Sequence, residues 1–250
     1  MSMVLAAIDN SAASRPVVAM ATVLAPVLGA TVEAVHVLED GSETARGSAG
    51  AFGVPLRLVA GDPRAELASL IANDDVVAAA IGCRGLPGSH RAPGHLALDL
   101  ADSTDKPLLV VPPEAPKPER LRKVLIAMEG TPSRPRRLQR ALQVVANTGL
   151  GVAIVHVDTA DSIPSFSDQV QHETDAYAHA FLARYCAGIE PSDFEVRIGE
   201  PHDEILKAAA AVGADIVALG WPRGAGPGHG GTAREVLRRN PLPTLLVAVG

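Results

Sequence analysis

The chain has 250 residues, of which 47% are hydrophobic and 20% are charged, and its formal net charge is −6. This negative charge argues against nucleic acid or an anionic membrane as a partner, because both bind basic surfaces. The two cysteines, Cys83 and Cys186, show no metal-ligand spacing and are too few for a disulfide framework, which favours a reducing compartment.

The beginning of the chain carries no recognisable targeting segment. Its first ten residues, MSMVLAAIDN, lack a basic region and become polar at Asp9, so they do not resemble a signal peptide. No apolar run approaches the roughly 20 residues that a membrane-spanning helix needs. We therefore expect a soluble, cytoplasmic protein without a membrane partner.

Short apolar runs alternate with helical stretches along the whole chain, a pattern typical of α/β proteins with a buried parallel sheet. Five of these runs predict strands in the first half of the chain and five in the second half. The predicted strands cover residues 4–8, 32–37, 56–59, 76–81, 108–111, 124–128, 152–157, 194–198, 216–219 and 244–249.

Capping signals predict where several of the intervening helices begin. Asp62-Pro63 and Thr131-Pro132 each place a capping residue before a first-turn proline, and Thr232 with Glu235 has the spacing of a capping box. Residues 165–187 predict a long helix, whereas the Gly- and Ser-rich residues 40–53 predict a loop or one irregular turn.

The second half of the sequence repeats the first. AGDPRAEL at 60–67 matches IGEPHDEI at 198–205, and MVLAAIDNSAASRP at 3–16 resembles KVLIAMEGTPSRP at 123–135. The copies meet in the Pro-rich, charged stretch PPEAPKPER. We predict two homologous domains, residues 1–112 and 121–250, joined by a linker at 113–120, with the second helix of the first domain shortened or lost.

Residues that could contact a ligand lie at the predicted carboxyl ends of the strands, where open parallel sheets bind ligands. Asp9 and Glu129 follow the first strand of each copy, and His36 and His156 lie near the end of the second. A Gly-rich segment follows the fourth strand, and in the first copy it reads GCRGLPGSHRAPGH. Its glycines would allow backbone N–H groups to approach an anion such as a phosphate.

The repeated motifs resemble those of the universal stress protein family, as a tandem pair that covers nearly the whole chain. The resemblance rests on VLAAIDNS, the HV that ends the second strand, GDPRAEL, IGCRG and PLLVVP. It implies the adenine nucleotide alpha hydrolase-like fold, with a five-stranded parallel sheet of order 3-2-1-4-5 flanked by helices in each domain. It also implies pairing through the last strands, which would place Val110-Val111 near Leu246-Val247.

The resemblance also implies residues for binding an adenosine nucleotide. In the first copy they are Asp9, Val37, Gly82, Gly85, Gly94 and His95. In the second copy the weaker set is Glu129, Val157, Gly220, Gly231 and Thr232. His95 replaces the family's Ser or Thr, and the second Gly-rich loop is rearranged around Trp221. Because the first copy matches the family's pattern more closely, we expect it to bind ATP with Mg²⁺. We expect no other cofactor or metal.

Two functions of different class fit this sequence. The first is a regulatory stress-response protein that binds ATP in its first domain; no catalytic residues are identified, although a weak ATPase activity stays open. The alternative is a nucleotide-free scaffold of the same fold, whose altered loops bind a protein partner. A homodimer is compatible with both functions.

Structural roles compete with these assignments at several positions. Asp9 and Glu129 also suit the capping of the helices that follow them. His36 and His156 fit hydrogen-bonded positions in the core better than metal ligation. Cys83 fits a small buried side chain, and Trp221 fits a plug in the second copy better than a platform for adenine.

Overall fold

The computed structural model of the protein describes residues 1–38, 41–83, 95–128, 148–159, 193–222 and 230–249, together with residues 183 and 191. Within these ranges the first half of the chain forms five strands and four helices. They are β1 (Met3–Ile8), α1 (Ser14–Val27), β2 (Thr31–Leu38), α2 (Glu43–Gly50), β3 (Leu56–Ala60), α3 (Pro63–Ile71), β4 (Val76–Gly82), α4 (His95–Ser103) and β5 (Leu108–Val111).

The described part of the second half contains five more strands and two helices. They are β6 (Lys123–Met128), β7 (Gly151–Asp158), β8 (Asp193–Ile198), α5 (Pro201–Val212), β9 (Ile216–Trp221), α6 (Gly231–Arg239) and β10 (Thr244–Ala248). Each of the ten predicted strands therefore has a counterpart. Two predictions lie outside the described residues: the helix start at Thr131-Pro132 and most of the helix over residues 165–187.

All ten strands belong to one sheet of order β3-β2-β1-β4-β5-β10-β9-β6-β7-β8. Neighbouring strands are parallel throughout, with the exception of the antiparallel pair β5 and β10. Each half therefore has the predicted order 3-2-1-4-5, which confirms the α/β fold class. The proposed domain boundaries stay a prediction.

The two halves of the sheet meet along β5 and β10. Leu109 lies opposite Leu245, and Leu108 lies opposite Leu246. The predicted pairing of the last strands is confirmed, but its register differs from Val110-Val111 beside Leu246-Val247, since Val110 lies opposite Thr244, two residues before Leu246. The pairing covers two sheet edges that would otherwise be open to other chains.

Both faces of the sheet are covered by helices. Val4 belongs to a core cluster that includes α1 and α2, whereas its neighbour Leu5 belongs to a cluster on the opposite face. The helices α3, α4, α5 and α6 contribute to this second cluster. Because side chains of a strand alternate between faces and both faces of the inner sheet are buried, inner strands such as β1, β4 and β5 are apolar throughout, whereas the edge strands β3 and β8 include charged residues.

Helix α2 corrects the expectation of a loop over residues 40–53. Glu43–Gly50 forms an eight-residue helix in which Ala45 and Ala49 are buried against the core on the α1 face. The Asn10 side chain, in the loop after β1, accepts hydrogen bonds from the backbone N–H groups of Thr44 (2.8 Å) and Ala45 (3.2 Å). Tertiary contacts thus satisfy first-turn donors and stabilise a segment whose own composition favours a loop.

We expect the substitution Asn10→Ala to lower the free energy of unfolding by about 1 kcal/mol, because the N–H groups of Thr44 and Ala45 lose their acceptor. Urea unfolding measures this loss, and hydrogen exchange should accelerate at the amides of α2. The control is Asn73→Ala, at an exposed turn position. Unchanged exchange in α2 of the Asn10 variant would show that the amide oxygen does not stabilise the helix.

Two predicted helix starts have different outcomes. The Asp62 side chain accepts a hydrogen bond from the Ala65 N–H at 2.9 Å, which confirms it as the cap of α3. The capping box at Thr232 is wrong, because the cap position of α6 is Gly230, two residues before Thr232, with a φ of 73° that is readily available to glycine. Glu235 instead forms an ion pair with Arg238 at 2.8 Å.

None of the helices in the described ranges combines the length and the apolar character that crossing a bilayer requires.

Candidate functional site

The predicted site of the first half lies at the carboxyl edge of the sheet. Strand β1 lies between β2 and β4, so Asp9, Val37 and Gly82 follow or end three adjacent strands. His95 is the first residue of α4. The structure therefore brings the ends of these strands together as the topology predicts, while Gly85 and Gly94 lie outside the described residues. The role of all six residues in nucleotide binding stays a prediction.

Asp9 organises the loop between β1 and α1. Its Oδ1 atom accepts hydrogen bonds from the Ser11 N–H (3.0 Å), the Ser11 hydroxyl (2.6 Å) and the Ser14 hydroxyl (2.8 Å). It does not cap α1 directly, since the residue at the cap position is Ala13. Asp9 therefore fixes the path of the chain at the candidate site. Its counterpart in the second half, Glu129, lies outside the described residues.

The two buried histidines have structural roles, as predicted. His36 Nδ1 lies 3.1 Å from the Ile8 carbonyl oxygen, and its Nε2 lies 3.0 Å from the Gly41 carbonyl oxygen. His156 Nδ1 lies 2.8 Å from the Met128 carbonyl oxygen, which is the corresponding contact of the second half. Each histidine therefore ties the second strand of its half to the end of the first strand.

His95 takes part in a cluster that also contains Arg64 and Asp99. His95 Nδ1 lies 3.0 Å from Asp99 Oδ2, and Arg64 Nη1 lies 3.6 Å from the same oxygen. His95 and Arg64 are largely exposed, whereas the side chain of Asp99 is mostly covered. Two basic side chains from neighbouring helices thus converge on one carboxylate beside the first candidate site.

In the second half, Val157 lies near the end of β7 and Gly220 near the end of β9, with β6 between these strands. The lack of a side chain at Gly220 has a packing reason. A Cβ atom there would lie 3.0 Å from Val249 Cγ2, closer than ordinary van der Waals contact. The glycine at this position therefore needs no ligand to explain it.

Trp221 is buried in the second half, with 2% of its surface exposed. A Cβ atom at Gly230 would lie 2.9 Å from Trp221 Cζ3, so the indole packs directly against the residue before α6. The guanidinium of Arg234 lies over the indole, 5.3 Å from the ring centroid. These contacts support the prediction that Trp221 acts as a plug and leave its ring unavailable for stacking on adenine.

The indole of Trp221 also contacts the first half of the chain. Its Nε1–H donates a hydrogen bond of 2.8 Å to Asp102 Oδ1, on the last turn of α4. Cys83, at the corresponding position of the first half, is buried, which confirms the structural prediction for this thiol. The tryptophan therefore joins the two halves at a place where the first half has a much smaller side chain.

Comparison with known proteins decides the family. The model of the universal stress protein family matches residues 120–248, slightly more than half of the chain. The chain belongs to this family. The matched residues begin just before β6 and end in β10, so they comprise the second half of the sheet.

Solved structures show the same fold over the whole chain. A universal stress protein from Archaeoglobus fulgidus DSM 4304 is 21% identical with a TM-score of 0.66, and 99% of this chain and 98% of that chain are covered. A functionally unknown protein from Pseudomonas aeruginosa PAO1 is 14% identical with a TM-score of 0.71, with coverages of 100% and 93%.

A third similar structure is shorter. It is the universal stress protein from Archaeoglobus fulgidus in complex with dAMP, which is 19% identical with a TM-score of 0.37 and covers 52% of this chain and 98% of that chain. No curated protein sequence matches the chain.

Ion pairs on the second half of this family member shift several pKa values. The hydrogen bond from Lys207 lowers the pKa of Glu204, and the hydrogen bond from Arg238 lowers the pKa of Glu235. The hydrogen bond to Glu195 raises the pKa of Arg197. All these effects favour the charged forms of surface residues, so these groups provide no general acid or base for a reaction.

Sequence reasoning missed Arg64 and Asp99 as neighbours of His95. The spacing of four residues between His95 and Asp99 on a helix was a readable signal for their contact. The contact with Arg64 had no such signal, because it depends on the packing of α3 against α4.

Proposed function

We propose that this protein is a regulatory stress-response protein that binds one ATP molecule, with Mg²⁺, in its first half. The observation that carries this proposal is the difference between the two candidate sites. The carboxyl edge of the first half presents Asp9 and Gly82 beside the start of α4. At the corresponding edge of the second half, Trp221 packs against Gly230 and Val249 packs against Gly220.

Regulation suits these residues better than catalysis. Asp9 is a carboxylate at the first candidate edge, and its Oδ1 atom already accepts three hydrogen bonds from Ser11 and Ser14. A carboxylate held in this way is a weak candidate for a general base. ATP would act by binding one conformation or assembly of the protein more tightly than another.

Mg²⁺ would enter with the phosphates of ATP. Among the residues that the structure describes, no three His, Cys, Asp or Glu side chains form a group that could hold a metal. Magnesium commonly keeps several water ligands and binds substrate phosphates. The ion would then be part of the ligand rather than a resident of the protein.

Equilibrium dialysis with Mg²⁺ and ATP tests the proposal. We expect one ATP per chain for the natural protein and no measurable binding for Gly85→Val, since a side chain at this glycine would keep the backbone from the phosphates. The control is Gly47→Val on α2, where a Cβ atom meets no atom within 4 Å. Equal binding by both variants, or two ATP molecules per chain, would contradict the assignment to this loop or to the first half.

The alternative function is a nucleotide-free scaffold that binds a protein. The contacts of α2 favour it, because Asn10 and His36, at the ends of β1 and β2, are already engaged by Thr44 and Gly41. Absence of ATP binding in the dialysis experiment would favour this alternative. Light scattering after size exclusion would then establish whether the partner includes a second copy, since a homodimer doubles the mass.

A further inference from the structure

The cluster of Arg64, His95 and Asp99 extends the first candidate site beyond the residues that the sequence motif identifies. We infer that Arg64 binds the phosphates of the nucleotide, together with His95, and that Asp99 positions both side chains. This inference rests on the proposed function. It assigns a phosphate contact to α3, an element that the family motif does not include.

Arg64 and His95 lie at the starts of two neighbouring helices. Arg64 is the second residue of α3, which begins directly after β3, and His95 is the first residue of α4, which follows β4. Both helices therefore start on the carboxyl side of the sheet. They also pack on the same face, since Leu67 and Leu100 belong to one core cluster. Arg64 thus lies beside the edge where the first candidate site is predicted.

Arg64 and His95 share the carboxylate of Asp99. Arg64 Nη1 and His95 Nδ1 both approach Asp99 Oδ2, at 3.6 Å and 3.0 Å. Arg64 is therefore connected through one oxygen atom to the residue that stands at the phosphate-binding hydroxyl position of the family. The side chain of Asp99 is 21% exposed, whereas those of its partners are 56% and 49% exposed. The carboxylate is thus anchored between two accessible basic groups.

Arginine is well suited to bind phosphate groups. A guanidinium presents five N–H donors in a planar fork that fits phosphate oxygens. The contact at 3.6 Å with Asp99 is long, and an exposed pair of this kind contributes little to stability. The other N–H groups of Arg64 can therefore donate to phosphate oxygens while Nη1 stays near Asp99.

The second half has a His–Arg pair at different positions. Its corresponding motif, IGEPHDEI, has His202 where AGDPRAEL has Arg64. His202 Nε2 lies 3.6 Å from Asp203, its neighbour in the chain, and Asp203 is held by Arg239 at 2.9 Å. The arginine that shares this carboxylate is thus Arg239, the last residue of α6, whereas a histidine stands at the position of Arg64.

Comparing the binding of two ligands distinguishes a contact with the phosphates from a general disturbance of the binding site. ATP with Mg²⁺ carries the phosphates, whereas adenosine lacks them. We expect Arg64→Ala to weaken ATP binding about tenfold, as the loss of a charged hydrogen bond does, and to leave adenosine binding unchanged. Arg64→Lys should recover part of the ATP affinity, because it keeps the charge without the fork.

The matched control is Arg57→Ala. Arg57 lies on β3 and forms an ion pair with Glu33 at 3.1 Å, so its removal also breaks a partly exposed pair in the same region of the chain. Isothermal titration calorimetry measures both ligands for each protein. We expect the control to bind ATP and adenosine with the affinity of the natural protein.

The other outcomes overturn the inference in distinguishable ways. ATP affinity unchanged in Arg64→Ala would reject the phosphate contact while the proposed function stands. An equal loss of ATP and adenosine would reject it in favour of a structural role for Arg64. If the natural protein binds neither ligand, the proposed function and this inference fail together.

Discussion

Trp221→Ala should lower the free energy of unfolding by about 3–5 kcal/mol, the range typical of truncating a large buried aromatic side chain. The indole is 2% exposed and packs against Gly230, so its removal leaves a cavity. The substitution also removes the hydrogen bond to Asp102, which connects the second half with α4 of the first half. We therefore expect both halves of the sheet to lose stability together.

Urea unfolding followed by far-UV circular dichroism measures this effect. Circular dichroism is preferable to fluorescence because Trp221 is the only tryptophan of the chain. Trp221→Phe keeps a ring but loses the donor, so it should cost less than Trp221→Ala. Asp102→Asn keeps an acceptor oxygen and should cost least. A loss below about 1 kcal/mol in Trp221→Ala would contradict the packing described for this residue, since buried aromatic truncations cost several times more.

Leu109→Asp should prevent the chain from accumulating as a folded protein. Leu109 is fully buried in β5, where it lies opposite Leu245 of β10. A carboxylate at this position has no described partner and costs several kcal/mol to bury. Because the whole free energy of unfolding of a typical domain is about 5–15 kcal/mol, one such change removes much of it.

The control for this change is Leu38→Asp. Leu38 ends β2 with 42% of its surface exposed, so the same chemical change meets water there. Soluble yield and circular dichroism should be near those of the natural protein for Leu38→Asp and greatly reduced for Leu109→Asp. A folded Leu109→Asp protein with the natural melting temperature would show that the junction of β5 and β10 is not buried in solution.

The strands were predictable because their signal is local. Apolar runs such as residues 76–81 are long enough to cross a buried sheet, and the repeat in the sequence fixes their correspondence between halves. Helix α2 was missed because its stability comes from elsewhere in the chain. Asn10 accepts hydrogen bonds from Thr44, 34 residues away, and no local pattern in the Gly- and Ser-rich segment encodes that contact.

In the candidate site, too, some positions were predictable from the sequence and others depend on contacts between distant elements. Asp9, Val37 and Gly82 could be placed together because strand order determines which strand ends are neighbours. The contact of Arg64 with Asp99 and that of Trp221 with Asp102 both join separate elements. Their existence depends on how helices pack on the finished sheet, and residue spacing carries no information about it.

The nucleotide content of gently purified protein tests the central claim most directly. The protein is denatured after purification without added nucleotide, and the released small molecules are separated by chromatography. We predict about one ATP or ADP per chain for the natural protein, and none for Gly85→Val at equal yield. An empty supernatant from the natural protein, followed by no rise in melting temperature with millimolar ATP and Mg²⁺, would contradict nucleotide binding and leave the scaffold as the function of this fold.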